Sequence, residues 1–140
     1  MVAGRDRDTS GVMRLCRRIG AGDLAAVAAI RGALRELWGR RVAEDPACTA
    51  ELLASELVTN ALVHTEYGAV VTATLAGDVL RVEVRDFAPE PPDPHLPVTD
   101  DGTHGRGLLL VQALADEWGV RVQGAGKAVW FELLGVKPAG

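Results

Sequence analysis

Cysteine is scarce in this chain, and so are the features that mark secreted, membrane-spanning and nucleic-acid-binding proteins. The two cysteines, Cys16 and Cys48, lie far apart in a sequence of 140 residues, which argues against a disulfide framework or a paired-cysteine metal site. No stretch reaches the roughly 18 apolar residues that a membrane span needs. The N-terminal residues contain no apolar signal core. We therefore expect a protein of the reducing cytoplasm, without a membrane segment.

Basic residues are also in deficit. The chain has 15 of them against 19 acidic residues, whereas proteins that bind nucleic acid directly normally carry a basic excess. All but two of the basic residues are arginine, which together with the many alanines is typical of a GC-rich bacterial coding sequence. Hydrophobic residues make up 48% of the chain, as in one globular domain. We predict a flexible arm over 1–11, the domain over 12–135 and a tail over 136–140.

The periodicity of apolar residues predicts the order of helices and strands. This order is a strand at 12–19, a helix from 24 to about 41, a helix at 47–65, a hairpin of strands at 70–75 and 79–86, a helix at 108–118, and strands at 120–123 and 128–134. It places the helices on one face of a mixed, mostly antiparallel sheet, which is an α+β fold of the two-layer α/β sandwich type. We expect Arg31 and Arg35 to face solvent. The predicted core of the third helix is Leu109, Val111, Leu114 and Trp118.

The second helix carries the most informative pattern. Glu56 and Asn60 lie one turn apart on the same side of the helix. Because a buried, unpaired carboxylate is costly, a metal, a donor group or a ligand should meet this pair. Alternatively, the pair makes internal hydrogen bonds, with Asn60 capping a neighbouring strand. His64 lies near the same face and is more typical of a core or rim histidine. The predicted flanks of the pair are Leu52, Val63, Leu53 and Leu57, and the predicted solvated arc is Glu51, Ser55 and Thr59.

Two further features follow along the chain. Asp86 ends a predicted strand, where its carboxylate can accept a hydrogen bond from a ligand or open a turn locally. The next segment, 87–104, holds five of the seven prolines and is predicted to be a lid or binding loop, or else a disordered loop. The end of this segment leads into a glycine cluster, Gly102, Gly105 and Gly107. The cluster lies directly before a predicted helix whose N-terminus can bind an anion. A dinucleotide-binding fingerprint is excluded because no strand precedes these glycines.

Together these segments resemble a known family. Glu56-Leu57-Val58-Thr59-Asn60-Ala61, then Asp86, then Gly105-Arg106-Gly107-Leu108 closely resemble the ATP-binding (Bergerat-type) domain of the gyrase/Hsp90/histidine kinase/MutL (GHKL) superfamily. The resemblance covers 12–134, and the segment 126–132 is similar to the family's final strand. Single-domain anti-sigma-factor serine/threonine kinases are the most similar members.

The resemblance implies roles for individual residues. Asn60 would hold Mg²⁺ beside the phosphates of ATP, and Glu56 would be the general base. Asp86 would accept the adenine amino group, and the segment 87–104 would be the ATP lid. The remaining residues implied to contact the nucleotide are Gly105, Arg106, Gly107 and Leu108. The partners implied are a sigma factor and an anti-anti-sigma protein that is phosphorylated on serine or threonine, with a homodimer as the family precedent.

The sequence departs from the family at two places. The family's adenine box reads Asp-x-Gly-x-Gly, whereas Ala88 and Glu90 stand where the glycines are expected. Ala128 replaces a frequent threonine. These changes leave an alternative function open, a non-catalytic nucleotide-binding module that sequesters a sigma factor or another regulatory partner. A sensor histidine kinase fragment would need a dimerising helical hairpin before residue 12, and a DNA-remodelling or chaperone ATPase would need further domains.

Overall fold

Six strands and three α-helices form the part of the chain that this computed structural model describes, residues 5–7, 12–64, 67–87, 104–122, 124 and 126–138. The strands are β1 (Arg5–Arg7), β2 (Met13–Ile19), β3 (Ala69–Ala76), β4 (Val79–Asp86), β5 (Glu117–Val122) and β6 (Lys127–Leu134). The helices are α1 (Ala25–Trp38), α2 (Glu44–His64) and α3 (His104–Leu114), and one 3₁₀ turn, Gly39–Arg41, follows α1. None of these helices is both long enough and apolar enough to span a membrane.

The strands form one sheet in the order β1-β2-β3-β4-β6-β5. Every pairing among the described strands is antiparallel, so the α+β sandwich is confirmed, but its sheet is antiparallel throughout rather than mixed. The predicted hairpin is the centre of the sheet, where Ala69 pairs with Asp86 and Leu75 with Leu80. Hairpins join β3 to β4 and β5 to β6, whereas α1 and α2 connect the neighbouring strands β2 and β3.

The helices cover one face of the sheet. Buried and half-buried residues alternate along β3 and β4, as period-two strands with one covered face require. The opposite face carries charged side chains that pair with one another. Arg81 lies 3.1 Å from Glu132 and stacks over the Trp130 ring with 4.3 Å to its centroid. Leu80, Val82 and Val84 are buried, as predicted.

The contact between α1 and α2 differs from the prediction. Arg31 Nε donates a 2.7 Å hydrogen bond to Ser55 Oγ, and Arg35 Nε lies 2.9 Å from Glu51 Oε1. Glu51 and Ser55 are buried, so the expected solvated arc of α2 instead faces α1. Arg31 and Arg35 are exposed, as expected. The prediction was wrong for Glu51 and Ser55, because an arginine stem can cover apolar surface while its head group reaches a polar partner on the next helix.

The second helix starts earlier than predicted. It begins at Glu44, so Pro46 lies within its first turn. Proline is tolerated there because the first turn has no intrahelical acceptor for its missing N–H.

The third helix is shifted by four residues from its prediction, to His104–Leu114. Val111 is fully buried as expected, but Leu109 and Leu114 are exposed. Trp118, predicted to be in this helix, lies in β5 and is partly exposed. Asp116 Oδ2 accepts a 2.7 Å hydrogen bond from the Leu134 N–H, so the chain after Leu114 is held against β6 instead of continuing the helix. An apolar run alone does not determine where a helix ends.

Both ends of the domain extend beyond their predicted limits. Arg5–Arg7, within the segment expected to be a flexible arm, pairs with β2. At the other end, Val136 is fully buried and its carbonyl accepts a 2.8 Å hydrogen bond from the Ala43 N–H. The packed domain therefore continues past residue 135.

We predict that Val136→Ala lowers the free energy of unfolding by roughly 1–3 kcal/mol, because it leaves a cavity in the core. The matched control is Leu134→Ala, at a position 50% exposed, which should change it by about 0.5 kcal/mol or less. Urea denaturation of both variants measures the difference. Equal losses would show that Val136 is not part of the core.

Candidate functional site

One end of the sheet collects the segments that the sequence analysis singled out. Ile19 pairs with Ala69, and Ala69 with Asp86, so the end of β2, the start of β3 and the end of β4 lie side by side. Arg85 pairs with Ala128, which brings the start of β6 to the same place. We call this the site end of the sheet.

The last turn of α2 also lies at the site end, because only a short connection separates His64 from the start of β3 at Ala69. Gly68 in this connection has φ +76°, and a Cβ there would lie 2.3 Å from the Ile19 carbonyl oxygen. Only glycine allows this close approach, which keeps the end of α2 near the sheet.

The topology directs the N-terminus of α3 toward the site end as well. The helix ends at Leu114, two residues before β5, and β5 starts at Glu117, opposite Glu132 near the other end of the sheet. Its 11 residues rise about 1.5 Å each and pack along α2. The first turn, which contains Gly105, Arg106 and Gly107, therefore lies on the side of the site end. Leu108 follows and is half-buried against the core.

Glu56 and Asn60 are both half-buried on α2. Glu51 and Ser55 face α1. Glu56 follows Glu51 by five residues and Asn60 follows Ser55 by five, which is about 140° of helical rotation in each case. Since α1 occupies that flank and α3 also packs on α2, Glu56 and Asn60 lie on the flank of α3. The predicted apolar surroundings are only half correct. Leu53 and Leu57 are buried, whereas Leu52 and Val63 are exposed.

Asp86 is a carboxylate buried at the site end, with 5% of its surface exposed. Its Oδ1 accepts a 3.2 Å hydrogen bond from the Lys127 main-chain N–H. Its Oδ2 lies 3.2 Å from Lys127 Nζ. Lys127 was not among the predicted site residues. The available signal was its position directly before Ala128, the first residue of the predicted strand 128–134.

Gly126 makes the approach of β6 to Asp86 possible. It has φ +97°, and a Cβ there would lie 2.2 Å from the Asp86 carbonyl oxygen. Any side chain would separate the two strands at this point. The result is a buried acceptor group held against the backbone of β6.

Phe87 is the last described residue after β4. The centroid of its ring lies 4.9 Å from the Arg85 guanidinium and 5.9 Å from that of Arg18. Both arginines belong to the sheet face without helices, so Phe87 points away from Asp86. Residues 88–103 of the predicted lid, with Ala88, Glu90 and Gly102, lie outside the described residues, as does the side chain of His64, and the last lid residue, His104, begins α3.

The hydrogen-bonding groups and the metal-binding oxygen available at the site end fit a nucleotide and Mg²⁺. Asp86 offers a buried acceptor, and the first turn of α3 offers main-chain N–H groups with the positive end of the helix dipole. Mg²⁺ is usually held by one or two protein oxygens, substrate phosphates and water, and the Asn60 amide oxygen matches this preference. In the described part of the chain, no group of three or more histidines, cysteines and carboxylates could hold a metal by itself.

An α+β sandwich with these groups at one end is the arrangement of a nucleotide-binding domain. Residues 20–133 match the model of the histidine kinase-like ATPase domain, and the chain belongs to this ATP-binding family. The resemblance to the GHKL superfamily is thereby confirmed.

Among solved structures, the chain is similar to that of the RsbU and RsbW domains of Rv1364c from Mycobacterium tuberculosis. The TM-score is 0.67 at 24% sequence identity, over 90% of this chain. The chain spans 33% of the length of that protein's structure, and the likeness confirms the fold. No curated protein sequence matches the chain.

We predict that Gly126→Ala costs about 3 kcal/mol of stability or more, because it combines a strained backbone with a clash against the Asp86 carbonyl. Gly124→Ala is the matched control. Gly124 also has positive φ, but a Cβ there meets nothing within 4 Å, so the cost should be about 1 kcal/mol. Thermal and urea unfolding measure both values. Similar costs for the two variants would contradict the close approach.

Proposed function

We propose that the chain is an ATP-binding anti-sigma regulatory factor of the bacterial cytoplasm, with serine/threonine kinase activity toward an anti-anti-sigma protein. The observation that carries the proposal is that Asp86, the end of α2 just after Asn60 and the first turn of α3 lie at one end of the sheet, with Glu56 one turn before Asn60. The structural likeness to a protein with an RsbW domain supports the regulatory class. A sigma factor is then the second partner, and a homodimer is the family precedent.

Binding and positioning are the main tasks of this site. Asp86 is an acceptor only, which suits the amino group of adenine rather than a carbonyl. Main-chain N–H groups of Gly105, Arg106, Gly107 and Leu108 would contact the phosphates. Asn60 would hold Mg²⁺, which when bound neutralises phosphate charge during transfer.

Glu56 is the residue assigned to chemistry. The serine or threonine oxygen of the substrate protein forms a bond to the γ-phosphorus of ATP, the bond from that phosphorus to the ADP oxygen breaks, and Glu56 takes the hydroxyl proton. Its half-buried position on α2, one turn before Asn60, supports this assignment.

A non-catalytic module that binds a nucleotide and sequesters its partner is the second candidate. It is supported by Ala128, which is buried opposite Arg85 and lacks the hydroxyl group that is frequent at this position in the family. Such a module would bind ATP without transferring its phosphate.

Glu56→Gln should separate binding from phosphoryl transfer. The amide keeps the size of the side chain but removes most of its basicity, so nucleotide affinity should stay within about twofold while transfer falls about 10²–10⁴-fold. Calorimetry with Mg²⁺–ATP measures binding. Labelled ATP, offered with anti-anti-sigma proteins of the same genome, measures transfer. The control is Glu117→Gln, which makes the same charge change at the other end of the sheet and should alter neither value. Equal transfer rates for wild type and Glu56→Gln would contradict the general-base assignment.

Asn60→Ala should weaken nucleotide binding itself, and most strongly at low Mg²⁺, because it removes the proposed protein ligand of the ion. Titrations at two Mg²⁺ concentrations test this expectation. A loss of affinity independent of Mg²⁺ would contradict that role. Absence of ATP binding by the folded wild type would contradict the proposed function, and binding without transfer to any partner would favour the sequestering module.

A further inference from the structure

Lys127 lies at the site end but is neither a predicted site residue nor part of the proposed roles. It meets Asp86 twice, through its main-chain N–H at Oδ1 and its ammonium at Oδ2, both at 3.2 Å. The side chain of Asp86 is 6% exposed and that of Lys127 is 26% exposed. The accessible part of this pair therefore belongs mainly to the lysine.

The ammonium has more donors than Asp86 uses. A lysine ammonium carries three N–H groups, and the contact with Oδ2 takes one of them. Asp86, the acceptor that the proposed function assigns to the adenine amino group, lies next to this ammonium. The pair therefore presents an acceptor and a donor next to each other.

This arrangement complements the edge of a 6-aminopurine. Such a base presents an exocyclic N–H donor beside a ring nitrogen, N1, that only accepts. We propose that Lys127 is a base-recognition residue, which donates to N1 of adenine while Asp86 accepts from the amino group. The inference rests on the proposed binding of ATP at the site end.

No other described cation on the neighbouring strands is placed for this role. Side chains alternate across a sheet, and Asp86 lies on the face covered by helices, as does Lys127. Arg18 and Arg85 stack on Phe87 on the opposite face, and Arg121 pairs with Glu83 there at 2.6 Å. Gly126 has no side chain that could fill the space beside Asp86.

The test uses an ATP analogue without the acceptor. In 1-deaza-ATP a C–H replaces N1, while the amino group and phosphates are unchanged. Wild type should bind ATP about tenfold more tightly than the analogue, or more, as expected for the loss of a hydrogen bond from a charged donor. In Lys127→Met this ratio should fall to about one. Lys127→Gln keeps an N–H donor and should retain part of the preference for ATP over 1-deaza-ATP. Lys137→Met, the same change at the other, exposed lysine, should keep the wild-type ratio.

The ratio distinguishes recognition from support of the fold. A lysine that only stabilises Asp86 would weaken both ligands equally on substitution, and an unchanged ratio in Lys127→Met would overturn the proposal. If Lys127→Met does not fold, the affinity ratios of wild type and Lys127→Gln test the proposal. Equal wild-type affinities for ATP and 1-deaza-ATP would overturn the role of Lys127 but leave the proposed function intact. If folded wild type binds neither ligand, the proposed function fails together with this inference.

Discussion

The close approach of β6 to the end of β4 is the constraint on which the site depends. A Cβ at Gly126 would overlap the Asp86 carbonyl, so the strands meet there only because the residue is glycine. This contact aligns Lys127 with both oxygens of the Asp86 carboxylate and compensates its burial. Without it, the carboxylate would lose both contacts with Lys127.

The packing of the helices determines which flank of α2 is available for chemistry. Arg31 and Arg35 of α1 bind the polar side chains on one flank of α2, so α1 occupies that flank. Glu56 and Asn60, which the proposed function assigns to ATP, lie on the other side of the helix. Polar residues of similar type on one helix thus differ in what they meet.

Periodicity identified the fold class, the central hairpin and the segments that meet at the site end. The spacing of Glu56 and Asn60 was readable because four residues make about one helical turn. It could not show which polar side chains of α2 face another helix, since Glu51 and Ser55 have the same spacing as Glu56 and Asn60. Nor could it place Trp118 or Val136, whose surroundings depend on the register of β5 and on the hydrogen bond from Ala43. Lys127 was missed for the same reason, because its role depends on a contact across two strands.

The departure from the family's adenine box has a physical consequence that the described residues already indicate. In the family pattern, glycines after the aspartate let the backbone turn close to the base. Here Phe87 follows Asp86, and its ring contacts Arg18 and Arg85 on the face without helices. These two cation–π contacts hold the Phe87 ring on that face. The ring therefore does not cover Asp86, whose carboxylate lies on the helix-covered face beside Lys127. Under the proposed function, the Lys127 side chain thus takes part in base recognition where the family pattern relies on backbone close to the base.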